Sequence, residues 1–262
     1  MTSREVPPVR AVLPVVGAAL AIELILGVLH PAGNSLSLQG WTGGLVIAIE
    51  VLAFGLPPVV AVRIWRADWR ETLRWRLPVR RYALPVCAAA PALAVLLVYV
   101  QALWMLLVSP LAPTGGSQAL SDALVADQPW QVLTLILIVG VVPAICEEVF
   151  FRGFLMQVLG RHWRPWPVIL ATAALFAGLH LDLIGMPTYL ILGVWFGVLA
   201  LVSGSLVWPI LAHLLHNSLD VIGRNLLSTD VFEVYAGWLP GISLALFGWA
   251  LWDVLYKQPD TH

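Results

Sequence analysis

The sequence predicts an all-α fold: a polytopic membrane helix bundle with about eight transmembrane helices. Three observations carry that expectation. Hydrophobic residues make up 60% of the 262-residue chain and charged residues only 11%, against about 25% charged in a soluble domain. The mean hydropathy is +0.88. Apolar runs recur at about the 20 residues a helix needs to cross hydrocarbon. The 13 Trp residues fit the same class, since indoles favour the bilayer interface.

Taken in order, the apolar runs are 11–30, 42–62, 83–108, 130–160, 166–182, 188–203, 206–223 and 238–256. The first follows Arg4 and Arg10 and could be mistaken for a signal peptide. It is longer than the usual apolar core of about 7–15 residues and no A-x-A site follows, so it reads as a membrane helix. Runs 166–182 and 188–203 are short. Run 130–160 is too long for one straight span at about 1.5 Å per residue, so Pro143 kinks it or its end projects into water. The connection 109–129, with Pro110, Pro113, Gly115 and Gly116, reads as irregular, with at most one short helix. The whole chain, 1–262, reads as one membrane domain. Its N-terminal helices, 1–129, carry no recognisable motif; its polar helices occupy 130–223, and 238–262 supply the last helix and tail.

Orientation follows from the basic residues, which favour the cytoplasmic side. With the N-terminus inside, 12 of the 14 Lys and Arg residues fall in inside segments. Arg224 alone lies outside, and Arg152 lies within a span. The expected location is therefore a cell membrane, multi-pass, with both termini cytoplasmic. The basic block 63–81, "RIWRADWRETLRWRLPVRR", interleaves Arg with Trp65, Trp69 and Trp75. It reads as an interfacial helix on anionic lipid or as a topology-setting cytoplasmic loop. A net charge of -1 gives no reason to expect nucleic acid. Cys87 and Cys146 lie in apolar runs and read as buried small hydrophobes.

Ionisable groups inside a membrane cost on the order of 2.5–3.5 kcal/mol each on insertion scales, and they usually face the protein interior. Here they cluster. In "EEVFFRG", Glu148 and Arg152 are four residues apart and can pair on one helix face. Glu147 lies about 100° round the helix and needs a partner elsewhere. His180 ends "FAGLH". His213 and Asn217 are again four apart in "LAHLLHNSLD". At about 1.5 Å per residue, Glu147, His180, His213 and Asn217 could meet at similar depth, well below the surface. Glu23, Glu50 and Gln101 read as packing or cavity residues, His216 as packing, and Gly193-x-x-x-Gly197 as close helix contact.

A carboxylate beside a neutral imidazole can take a proton from water and generate a nucleophile. A second imidazole and an amide can donate hydrogen bonds to a developing oxyanion. Together these parts suit hydrolysis of an amide bond. The chain has neither G-x-S-x-G nor H-E-x-x-H, and Ser218 has no base in helical register. Glu147, His180 and His213 could instead bind zinc as a His2Glu set. The reading preferred here is a glutamate mechanism with no cofactor, and zinc stays open as the alternative.

The motifs resemble those of the CAAX prenyl endopeptidase family, also called CPBP intramembrane proteases. "EEVFFRG" resembles its E-E-x-x-x-R-G motif, "FAGLH" its F-x-x-x-H motif, and "GSLVWPILAHLLHN" its H-x-x-x-N motif. They occur in the family's order across about residues 140–222. The resemblance implies a helical membrane fold with its site inside the bilayer. It implies that Glu147 and His180 activate water, that His213 and Asn217 hold the oxyanion, and that Glu148 and Arg152 support them. The expected partners are the lipid bilayer and a peptide or membrane-anchored protein substrate. The expected setting is a bacterial inner membrane, where a peptide or membrane anchor is favoured over a prenylated substrate. Two other classes compete: a non-catalytic immunity or scaffold protein of the same family, and a transporter or proton relay. The absence of inverted repeats weighs against the transporter.

Overall fold

The computed structural model describes residues 6–28, 41–108, 124–226 and 237–256. The expectations for Arg4, Lys257 and most of the 109–129 connection lie outside the described residues. Within them the chain is helical, and no strand is present among the described residues. The helices are α1 (Val12–Val28), α2 (Gly43–Ile64), the single turn α3 (Trp69–Thr72), α4 (Arg80–Val108), α5 (Pro129–Leu159), α6 (Pro165–Leu179), α7 (Met186–Ser203), α8 (Val207–Leu226) and α9 (Leu239–Tyr256). Eight long helices thus stand where the eight apolar runs were read.

Five of them, α2, α4, α5, α7 and α9, are long and apolar enough to cross a membrane. The other three fall short for separate physical reasons. Helix α1 has 17 residues. Helix α6 has 15 residues, about 22 Å at 1.5 Å each, short of the roughly 30 Å hydrocarbon core. Helix α8 carries His213, His216, Asn217, Asp220 and Arg224, which lower its apolar character.

Helix α5 is continuous over 31 residues, about 46 Å at α-helical rise. It accommodates Pro143 by widening rather than breaking. A π-helical stretch at Ile136–Val141 precedes the proline, and a second at Val149–Leu155 follows the glutamates. Helix α2 contains a third, Glu50–Gly55. That stretch packs against the Val142–Glu148 turns of α5, and α8 packs on the opposite flank. At the α2 contact, a Cβ on Gly55 would lie 3.3 Å from Cys146 Sγ.

Helices α6 and α7 approach most closely through glycine. A Cβ on Gly193 would stand 2.9 Å from both Cα and Cβ of Ala173, and one on Gly197 3.0 Å from Ile169 Cγ2. The G-x-x-x-G expectation therefore holds. Helix α4 lies along α9 and α8. The resulting core has a Phe-rich half, with Phe54, Phe150, Phe151, Phe154 and Phe176, and an aliphatic half between α4, α6, α7 and α8.

The basic block 63–81 does not form a continuous interfacial helix. Arg66 and Arg74 take left-handed backbone angles, φ 50 and 47, which terminate helical segments. Between them Asp68 caps the lone turn α3, its Oδ1 accepting from the N–H groups of Arg70 and Glu71 at 2.8 and 3.1 Å.

Candidate active site

The site grows from the middle of α5. Glu148 and Arg152 are both fully buried, and Arg152 Nη1 donates to Glu148 Oε1 at 2.7 Å. The i, i+4 pairing expected from the sequence is therefore present, inside a π-helical stretch. Arg152 Nη2 donates to the carbonyl of Gly193 at 2.8 Å. The guanidinium carbon lies 4.9 Å from the Phe176 ring and 5.3 Å from that of Phe196. One arginine thus ties α5 to α7 with its charge neutralised, the condition under which a buried cation is tolerated.

Helix α8 brings His213 to the same carboxylate. His213 Nδ1 lies 3.0 Å from Glu148 Oε1, and Nε2 lies 3.9 Å from Glu147 Oε2. The ring stacks on Phe196 at 4.8 Å. Because Glu148 Oε1 also accepts from Arg152, it presents a lone pair to His213, so Nδ1 carries the proton. In the neutral ring Nε2 then holds a lone pair facing Glu147. The partner that Glu147 needed is His213. Glu147 Oε2 is buried with no hydrogen-bond partner in the protein.

His180 closes α6. Its Nδ1 lies 2.8 Å from the carbonyl of Phe176, an acceptor, so the same logic leaves its Nε2 lone pair available. Tyr189 stacks on the imidazole at 3.9 Å, and Phe176 bridges the histidines, 4.7 Å from the His180 ring and 5.9 Å from that of His213.

Asn217 points to α5. Its Nδ2 donates to the carbonyl of Val139 at 2.8 Å. That carbonyl belongs to the turn before Pro143, which has no N–H to give it. His213 and Asn217 share a face of α8, as read from the sequence, yet they engage different turns of α5.

Two residues set aside as packing stand nearer the chemistry than expected. Glu23 on α1 and Glu50 on α2 each bury an Oε2 atom without a partner in the protein, and Glu50 sits in the stretch packed on the Glu147 turn. Nothing in their sequence spacing relates them to Glu147, because the link runs through tertiary packing. Tyr189 was not singled out by sequence either; its signal is the aromatic nine residues beyond the "FAGLH" histidine. Among the described residues no three His, Cys, Asp or Glu side chains come together as metal ligands. The His2Glu zinc set of Glu147, His180 and His213 therefore does not fit these side-chain positions, and no step is derived through a metal.

Residues 129–219 match the family model for type II CAAX prenyl endopeptidases, Rce1-like. The match supports the CAAX protease family. That family supports an intramembrane endopeptidase of CAAX type in general terms. The matched segment runs from the start of α5 into α8 and contains Glu147, Glu148, Arg152, His180, His213 and Asn217. No curated protein and no solved structure matches the chain.

Proposed function

We propose that this CAAX-type chain is a glutamate endopeptidase that hydrolyses a peptide bond near the C-terminus or membrane anchor of its substrate. One observation carries the reading: His213 is held between two buried carboxylates, with Nδ1 on Glu148 and Nε2 toward Glu147. An imidazole fixed by one carboxylate and facing another is an arrangement suited to moving a proton. Glu147 takes a proton from water, and the Nε2 lone pairs of His180 and His213 offer neighbouring acceptors. The resulting hydroxide forms a C–O bond to the scissile carbonyl carbon. The second N–H of the Asn217 amide and a protonated His213 donate to the oxyanion. The C–N bond then breaks as the nitrogen receives the proton that Glu147 took. Water thus ends as the OH of the new carboxyl group and one hydrogen of the new amine.

His213 donates to an oxyanion only after Nε2 gains a proton, which makes its oxyanion role conditional on the first transfer. Termini on the cytoplasmic side of a bacterial inner membrane remain the topology supported by the arginine distribution.

The test compares membrane and C-terminal peptidomes of cells carrying the wild-type chain or Glu147→Ala. Cys87→Ala, at an exposed cysteine, serves as the control. Loss of one processed product only in the Glu147 variant supports the proposal and identifies the substrate. Identical peptidomes, with a cellular phenotype retained by Glu147→Ala, would replace it with the immunity or scaffold reading.

A further inference from the structure

Away from the glutamates, a cleft of about 340 Å³ opens where α3, the end of α5 and the start of α6 meet. Arg74, Arg76 and Arg161 line it, with Glu71, Gln157 and Trp163. Glu71 is the one carboxylate in that lining, and Arg76 Nη2 engages its Oε2 at 2.7 Å. Arg74 has a neutral partner: its Nε donates to Gln157 Oε1 at 2.6 Å. Arg74 is also partly buried. Burial first, and then the charge of Arg76, push its guanidinium down from the ordinary range, while Glu71 pulls it up. Three guanidiniums around a concave space, offset by one carboxylate, form a site in which an anion lowers the energy of the cations already there.

The surroundings of the cleft select the kind of anion. Trp69, Trp75, Trp163 and Trp166 are each about half exposed at this end of the bundle, and Leu77 is 94% exposed. Exposed indoles beside arginines mark the level at which lipid headgroups lie. Arg matches a phosphate geometrically, with paired N–H donors.

We propose that this cleft binds the phosphodiester headgroup of an anionic membrane phospholipid, held by Arg74, Arg76 and Arg161 beneath the Trp163 indole. The site is independent of the peptidase reading and shares no side chain with it.

The test uses the purified full chain in detergent, titrated with phosphatidylglycerol or phosphatidylcholine and read by native mass spectrometry. Arg161→Gln removes a charge from the cleft, and Leu201→Trp fills the cleft from its apolar side without changing charge. Arg70→Gln removes a neighbouring charge outside the cleft lining. Thermal unfolding of each variant confirms that it is folded. One phosphatidylglycerol should bind tightly to wild type, with phosphatidylcholine weaker. Arg161→Gln should weaken that binding at least about fivefold, the value of roughly one basic group at a lipid surface, and Leu201→Trp should do the same. Arg70→Gln should have a smaller effect. Equal losses from Arg70→Gln and Arg161→Gln, with none from Leu201→Trp, would mean a diffuse basic surface and overturn the site. Displacement of the lipid by inorganic phosphate at equal concentration would make free phosphate the ligand and overturn the headgroup assignment.

Discussion

Replacing Arg152 by Met tests the central packing argument, because Met keeps much of the side-chain length and removes every polar interaction. Arg152 is fully buried, and it donates to Glu148 at 2.7 Å and to the Gly193 carbonyl at 2.8 Å. Arg152→Met leaves Glu148 fully buried with His213 as its remaining partner. Removing one member of a buried pair costs about 3–5 kcal/mol. The guanidinium–aromatic contacts are part of that figure, not additional to it. The double variant Arg152→Met with Glu148→Gln removes the orphaned carboxylate as well, so it should regain roughly 1–3 kcal/mol of the loss. The assay is unfolding in micelles followed by Trp fluorescence, on wild type, both single variants and the double. If Arg152→Met costs less than about 1 kcal/mol, or the double equals the sum of the singles, Arg152 and Glu148 do not act as a buried pair and the argument fails. Activity should not return with stability, since Glu148→Gln loosens the carboxylate that orients His213.

Three further outcomes follow from distances. Gly193→Ala should destabilise by about 1–3 kcal/mol, because its new Cβ meets the backbone of Ala173; Gly197→Ala should cost less, because it meets only the Ile169 side chain. Both are read by the same unfolding assay. Glu147→Gln should lower peptidase kcat by about 10²–10⁴ and leave helical circular dichroism unchanged; retained turnover in the purified variant would remove Glu147 from the chemistry. Tyr189→Leu removes the ring stacked at 3.9 Å on His180. It should destabilise by about 0.5–1.5 kcal/mol and lower kcat more than it raises KM, since the imidazole loses its orientation.

The helices were legible because apolar runs of membrane length have few alternatives once backbone polar groups must be satisfied internally. The pairing of Glu148 with Arg152 was legible for the same local reason, a separation of four residues. The π-helical stretches at Glu50–Gly55, Ile136–Val141 and Val149–Leu155 were not. Every face of these segments is apolar enough to pack, so no periodicity records the extra residue per turn. The failure of 63–81 to form one helix was hidden too, since Arg66 and Arg74 give no side-chain sign of a left-handed backbone. The positions of Glu23 and Glu50 around the Glu147 turn depend on how α1 and α2 dock, which single-residue polarity does not encode. Depth along the helices correctly brought His213 to Glu147. It did not separate His213 from Asn217, because depth says nothing about which neighbouring turn a side chain engages.

Asn217 carries the sharpest division between holding the fold and serving the chemistry, and one substitution series can separate the two. Its Nδ2 supplies the Val139 carbonyl with a hydrogen bond that Pro143 cannot give. The amide has a second N–H, and that is the one the mechanism assigns to the oxyanion. Asn217→Ala removes both donors. Stability should fall by about 1–3 kcal/mol for the carbonyl left without its donor, and kcat by about 10²–10³ for the lost oxyanion contact. Asn217→Asp goes further, since an ionised carboxylate sets an acceptor against the Val139 carbonyl; it should be less stable than Asn217→Ala. Unfolding and single-turnover kinetics on the same preparations read the two effects separately. A variant that loses stability while every folded molecule keeps its turnover would leave Asn217 as a tie between α8 and α5 only. A loss of turnover at unchanged stability would mean that the Val139 hydrogen bond contributes nothing to the fold. A loss of both is the result that one amide with two N–H groups, each in a different role, requires.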